Sequence, residues 1–135
     1  MILSAKNIQR IIEKGELQVK PEPKFKEASI KIHLSGEIGS TVNNKKKENI
    51  YKLKPKEFVL ATSLEQIKLS EKYAGLYDGY VGLAKQGIIT HMGSMLIDPG
   101  FEGKLILEIF NASDKEIILR GGDRVGQLAI IKVSR

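Results

Sequence analysis

A carboxylate inside an apolar stretch is the first place in this sequence to look for chemistry. The segment KLILEIFN, 104 to 111, is strand-like and rich in large apolar residues, with Glu108 in its middle. An unpaired buried carboxylate is costly, so such a site must supply a hydrogen-bonding partner, water, a ligand or a proton. Other groupings that carry chemistry are few. The sequence holds no P-loop, no Rossmann glycine pattern and no nucleophile–base–orienter set. It has no cysteine, which excludes disulfides and thiolate metal sites, and its two histidines, His33 and His91, argue against a zinc site. Spacing alone leaves Glu108 unexplained.

The totals restrict the setting. A chain of 135 residues is the size of one domain, and we read 1–135 as a single domain. With 41% hydrophobic and 28% charged residues it has the composition of a soluble globular protein, and no apolar run nears the roughly 20 residues of a membrane span. The opening MILSAKNIQR lacks the apolar core of a signal peptide, so a cytoplasmic location is expected, with no membrane partner. The formal charge of +6 allows anionic partners. Much of it sits in NNKKKEN, 43–49, read either as a solvated loop or as a phosphate or nucleic-acid contact. Aromatics are 6% and Trp is absent, which gives little support to a base-stacking surface.

The elements that must position Glu108 can be read from periodicity. Ser4 can cap a short N-terminal helix with Ile8, Ile11 and Ile12 on one face and Gly15 at its end. The prolines of KPEPKFK forbid continued helix, and the period then changes to two. In ASIKIHLSG, Ile30, Ile32 and Leu34 alternate with Ser29, Lys31, His33 and Ser35, a half-buried strand. Two strands are expected around Lys54-Pro55-Lys56 and two more around Gly121-Gly122-Asp123. Asp98-Pro99-Gly100 and Asn111-Ala112-Ser113-Asp114 read as turns, and YVGLAKQG as a second helical turn. Many short strands at regular spacing predict an all-β sandwich or barrel.

Three segments, MILSAKNIQRIIEKGELQVKP at the start, GLAKQGIITH…IDPGFEGKLILEIFN in the middle and IILRGGDRVGQLAI at the end, together resemble the dCTP deaminase and dUTPase superfamily, with MILS pointing to the deaminase branch. The resemblance implies a distorted jelly-roll barrel (dUTPase-like) with the short helix in front, assembled as a homotrimer with nucleotide sites between subunits. It implies a pyrimidine deoxynucleoside triphosphate as ligand and Mg2+ carried by its phosphates. It assigns Glu108 as the base that activates water for attack on C4 of cytosine. Apolar neighbours would then raise the Glu108 pKa by desolvation and suit it to neutral pH. By the same resemblance Asp98 meets the deoxyribose hydroxyl, although Asp-Pro-Gly is a good turn without a ligand. The backbone at Ile106 lies where the pyrimidine edge is read, and Lys85 is the remaining phosphate contact.

The departures from the family pattern matter as much. Tyr80-Val81-Gly82-Leu83-Ala84-Lys85 stands where the family has an Arg-Ser-Ser-x-Ala-Arg phosphate loop. Charge-assisted hydrogen bonds contribute about 1.5–3 kcal/mol each, so these losses imply a weakening on the order of a thousandfold in triphosphate binding. Against the same resemblance Lys31 stands for a usual aspartate and Gly93-Ser94 for Thr-Ala, and the family's C-terminal arm is expected to be missing after IIKVSR. Three readings follow. The chain is an enzyme on dCTP or dUTP, with deamination favoured over hydrolysis because Glu108 is kept. Or it is a catalytically impaired homologue serving as a non-catalytic trimeric nucleotide-binding or interaction scaffold. A nucleic-acid binder, resting on charge alone, ranks last. His91 reads as a packing or trimer-interface residue. Glu108 is open either to pairing with Lys85 across the trimer or to a wet central channel.

Overall fold

The computed structural model describes residues 1–39 and 47–134. Most of the basic run at 43–49 therefore lies outside the described residues. Helix α1, Ala5–Glu13, begins where the sequence places it: the Ser4 hydroxyl accepts from the Asn7 N–H at 3.2 Å. Ile8 and Ile11 are buried and Ile12 packs beside them. Gly15, at φ +76°, turns the chain out of the helix in a conformation that disfavours a side chain.

The strands that follow curl into one main sheet. β1 (Leu17–Lys20) pairs antiparallel with the far end of β4 (Phe58–Leu69). β4 also pairs with β2 (Ile30–Ile38) and with β8 (Glu102–Asn111). β10 (Arg124–Lys132) lies between β2 and β5 (Tyr73–Gly79), and the two-residue strands β6 (Ile88–Ile89) and β7 (Leu96–Ile97) finish the edges on β8 and β5. β3 (Ile50–Leu53) and β9 (Ile117–Arg120) form a separate pair. Thus neither β3 and β4 nor β9 and β10 closes as a hairpin, although each pair is adjacent in sequence. The helical turn in YVGLAKQG is α2, Val81–Ala84, with Lys85 as its C-cap. Alternate residues of β2, β8 and β10, among them Ile30, Ile32, Leu107, Ile109 and Leu128, point into one core.

The regular ladder breaks within β2 after Leu34, in β10 between Arg124 and Gly126, and in β4. Between the pairs Thr62–Ile106 and Gln66–Lys104, three residues of β4 lie opposite one residue of β8, a bulge. Leu64 is 38% exposed there, while Glu65 is 3% exposed. The buried carboxylate is satisfied by one residue of the neighbouring strand. Its Oε1 accepts from the His33 backbone N–H at 2.9 Å, and its Oε2 lies 2.6 Å from His33 Nδ1. The Ser63 hydroxyl closes the bulge, donating to the Glu65 carbonyl and accepting from the Leu105 N–H.

Candidate active site

β8 explains why Glu108 tolerates its sequence neighbours. Leu105, Leu107 and Ile109 are buried, whereas Lys104 and Ile106 are exposed and Glu108 is half-buried. Successive side chains of a strand point to opposite faces, so Glu108 shares its face with Ile106 rather than with the core leucines. The opposing loop, 91–95, follows β6, and the Glu108 N–H donates to the Thr90 carbonyl at 3.2 Å. That contact brings the loop's own N–H groups onto the carboxylate.

Glu108 Oε1 accepts three hydrogen bonds, from the Met92 N–H, the Gly93 N–H and the Ser94 hydroxyl, each at 2.9 Å. Oε2 has no hydrogen-bond partner among the described residues. The N–H groups of Gly93 and Met92 hold the carboxyl below its ordinary pKa, against an opposing push from desolvation. The Ser94 hydroxyl and nearby His91 act in the same direction. This corrects the expectation of a raised value. Donors aimed at the charged form outweigh burial when the group is only half buried. Glu108 is therefore an anion at neutral pH, with one oxygen fixed and one open.

A mostly apolar cavity of about 220 Å³ adjoins it, lined by Tyr77, Ser94, Ile97, Phe101, Ile106 and Leu107 among others. Ile106 stands at 62% exposure. β6 covers β8 only at Phe110 and Asn111, so the edge of β8 beside Ile106 has no strand partner there. Tyr77 forms a fixed wall. Its hydroxyl meets Thr90 Oγ1 at 2.9 Å, and burial pushes its pKa up to about 12, so it stays neutral. His91 packs edge-on against it, ring centroids 5.5 Å apart, in agreement with a packing role for this histidine.

The dCTP deaminase-like family model matches residues 2–133. The chain belongs to that family. A curated relative from Aquifex aeolicus (strain VF5), "dCTP deaminase, dUMP-forming", is 36% identical over all of this chain and 83% of its own length. The crystal structure of 2'-deoxycytidine 5'-triphosphate deaminase from Agrobacterium tumefaciens superposes with a TM-score of 0.78 at 17% identity. It covers 96% of this chain, which spans about half (48%) of that one. A mutant dUTPase of phage phi11 of S. aureus, described with a structural Mg(II) ion, gives 0.67 at 17% identity over 88% of this chain and 92% of its own. The fold is therefore the dUTPase-like, distorted jelly-roll barrel expected from the sequence.

The four residues that the family resemblance singled out are not equally placed. Glu108 and Ile106 share a face beside the cavity. Asp98 is exposed in its turn, where Phe101 N–H donates to the Asp98 carbonyl at 3.2 Å and Gly100 takes φ +84°. Its neighbours Ile97 and Phe101 line the cavity, as Ser94 and Leu107 beside Glu108 do, but neither Asp98 nor Glu108 is itself in the lining. Lys85 is exposed at the end of α2 and lines none of the described cavities. Sequence reading missed the amides of Met92 and Gly93 as donors, which carry no side-chain signature. It also missed Tyr77, although a tyrosine in an apolar strand asks for a partner for its hydroxyl. Among the described residues no three His, Cys, Asp or Glu side chains cluster as a metal site, and no helix is long and apolar enough to cross a membrane.

Proposed function

We propose that this family member deaminates dCTP, with Glu108 as the base. The observation that carries this reading is the division of labour within one carboxylate. Oε1 is held by three donors, Oε2 has no partner among the described residues, and Ser94 and Leu107 beside Glu108 line a cavity sized for one ring. A water on Oε2 gives its proton to the carboxylate as its oxygen bonds to C4 of cytosine. One proton of that water ends on the departing amine and the other on N3, the C4–N4 bond breaks as C4=O forms, and uracil and ammonia result. The unpaired edge of β8 at Ile106 is suited to hydrogen-bond the pyrimidine, and Asp98, just beyond the cavity wall, to meet the sugar. A depressed pKa makes Glu108 a weaker base than one tuned near 7 but keeps it fully ionised, so the proton acceptor is always ready.

The assembly we propose is a homotrimer. Ile89, Met92, Met95, Leu96 and Ile106, all exposed on the strands and loop around Glu108, would be covered by another copy. In such an assembly Lys85 can reach phosphates at a neighbour's site. Mg2+ in this reading is carried by the triphosphate; among the described residues no three His, Cys, Asp or Glu side chains cluster to hold it.

The position of Lys85, away from every described cavity, favours a second reading: a trimeric scaffold that binds nucleotide weakly without turnover. The deciding experiment is incubation with dCTP and dUTP plus Mg2+, with chromatography that separates dUTP from dUMP, beside Glu108→Gln. Loss of dCTP that the variant abolishes is the expected result. A folded trimer that turns over neither nucleotide overturns the enzymatic reading in favour of the scaffold.

A further inference from the structure

The loop that cradles Glu108 has little packing of its own, yet its amides meet one carboxylate oxygen. Met92, Gly93 and Met95 are exposed, and a Cβ at Gly93 would meet nothing within 4 Å. The path of residues 91–95 is therefore set at the two ends of the loop, and one residue grips both. At the far end the Tyr77 N–H donates to the Met95 carbonyl at 2.7 Å, where β7 joins β5. At the near end the Tyr77 hydroxyl meets Thr90 Oγ1 at 2.9 Å, and each hydroxyl oxygen lies 3.3 Å from the Val125 carbonyl oxygen on β10. Between the ends, the Tyr77 ring supports His91 edge-on.

Tyr77 and Thr90 are both buried, and each hydroxyl proton finds an acceptor within this group of three oxygens. The seat is closely fitted. A Cβ at Gly126 would collide with the Tyr77 hydroxyl and with the Asp78 carbonyl, so the backbone of β10 approaches as only glycine allows. Thr90 passes this fixity on. Its carbonyl accepts from the Glu108 N–H at 3.2 Å, and the donors at Met92 and Gly93 follow two and three residues later. Thr90 lines none of the described cavities, so it bears on Glu108 and not on a ligand.

We propose that Thr90 is a positioning residue for Glu108: its hydroxyl, held by Tyr77 against β10, fixes the loop so that three donors fall on Oε1 and Oε2 stays free. Burial, with Asp78 and Glu65 acting in the same direction, keeps the Tyr77 hydroxyl neutral, so the grip persists wherever a carboxylate titrates. His91 is the charged neighbour that acts on Glu108 along with the loop donors. Opposite Glu108 on β4 stands the apolar Leu60, and Lys104 lies two positions along the same face of β8. The consequence for turnover rests on the deaminase reading; the link from Thr90 to Glu108 does not.

NMR titration of the Glu108 carboxyl carbon in the full chain tests the link, its signal being the one absent from Glu108→Gln. Thr90→Val keeps the shape and removes the hydroxyl. Tyr77→Phe removes the partner hydroxyl and leaves the ring and the N–H. Each is expected to move the midpoint upward, towards the ordinary carboxylate range, as the amides lose their aim at Oε1. The double variant should shift no further than the larger single one, because the two hydroxyls act as a unit. Thr90→Ser, which keeps the hydroxyl but loses the methyl group, is expected to titrate like the parent, an outcome that lost packing would not give. With dCTP, kcat should fall about tenfold to a hundredfold in Thr90→Val with KM unchanged. A midpoint unmoved in both Thr90→Val and Tyr77→Phe, or moved equally in Thr90→Val and Thr90→Ser, overturns the proposal. An upward shift in a chain that leaves dCTP intact keeps the positioning role and removes the deaminase reading. Turnover of dCTP with the same kcat and the same midpoint in parent and Thr90→Val does the reverse.

Discussion

Two glutamates on adjacent strands, Glu65 on β4 and Glu108 on β8, show how partners decide what a carboxylate is for. Glu65 is almost wholly buried and gives both oxygens to one residue, His33. Nothing is left over to act on a ligand. Glu108 is half-buried, and its three donors all fall on one oxygen. The second oxygen is anchored by the first yet unspent. Two carboxylates in neighbouring strands thus serve opposite ends. One ties β2 to a bulge in β4, and the other, held by a Ser94 that lines the smaller cavity, keeps an oxygen with capacity to take a proton.

That contrast can be broken by substitution. Glu108→Gln is expected to lower dCTP deamination by about 10²–10⁴-fold, the usual reach of a general base, while melting close to the parent protein. A large drop in melting temperature would make Glu108 another Glu65. Glu65→Ala is expected to do the opposite, costing about 3–5 kcal/mol in urea unfolding because it strips a buried partner from His33. Activity per folded molecule should survive. Ser94→Ala removes one of three donors from Oε1, a loss of about 1.5 kcal/mol or less from the ionised form. The acid limb of kcat/KM against pH should move upward, towards the ordinary carboxylate range, with little change at neutral pH.

The smallest effect concerns stability against pH. The folded pKa of Glu108 is depressed, so ionised Glu108 stabilises the fold fully above the unfolded pKa. That contribution is lost as pH falls through the lower, folded value. Urea unfolding of the parent and Glu108→Gln at a series of pH values should show a modest advantage for the parent at neutral pH that closes in acid. An advantage that widens in acid would mean that the folded pKa is raised.

Much of the fold was legible because it is written in local rules. Ser4, the Ile8–Ile11 stripe and Gly15 each perform a task that their chemistry permits almost alone, and Asp98-Pro99-Gly100 makes the turn its residues favour. The first half of β2 is set by alternation from Ile30 to Leu34, which then breaks at Ser35, itself buried. The partners of β3 and β9 were not legible, since pairing between segments so far apart in the chain leaves no local mark. Nor was the inversion at Leu64 and Glu65, which depends on a bulge in the pairing rather than on composition. At the site, Glu108 was visible as an anomaly. Its apparent burial misled, because Leu107 and Ile109 flank it in sequence while pointing the other way.

The cradle around Glu108 is built largely from main chain. Two of its three donors are peptide N–H groups, which every residue but proline possesses, and the space beside Gly93 is empty to 4 Å. Such a receptor is indifferent to spelling. A lineage can exchange the letters at 92 and 93 repeatedly and still inherit a carboxylate held in the same pose, provided the loop keeps its path. The third donor, the Ser94 hydroxyl, is the one part of the cradle that depends on the identity of a side chain. A clamp built from side chains has no comparable immunity, since each substitution removes the donor itself.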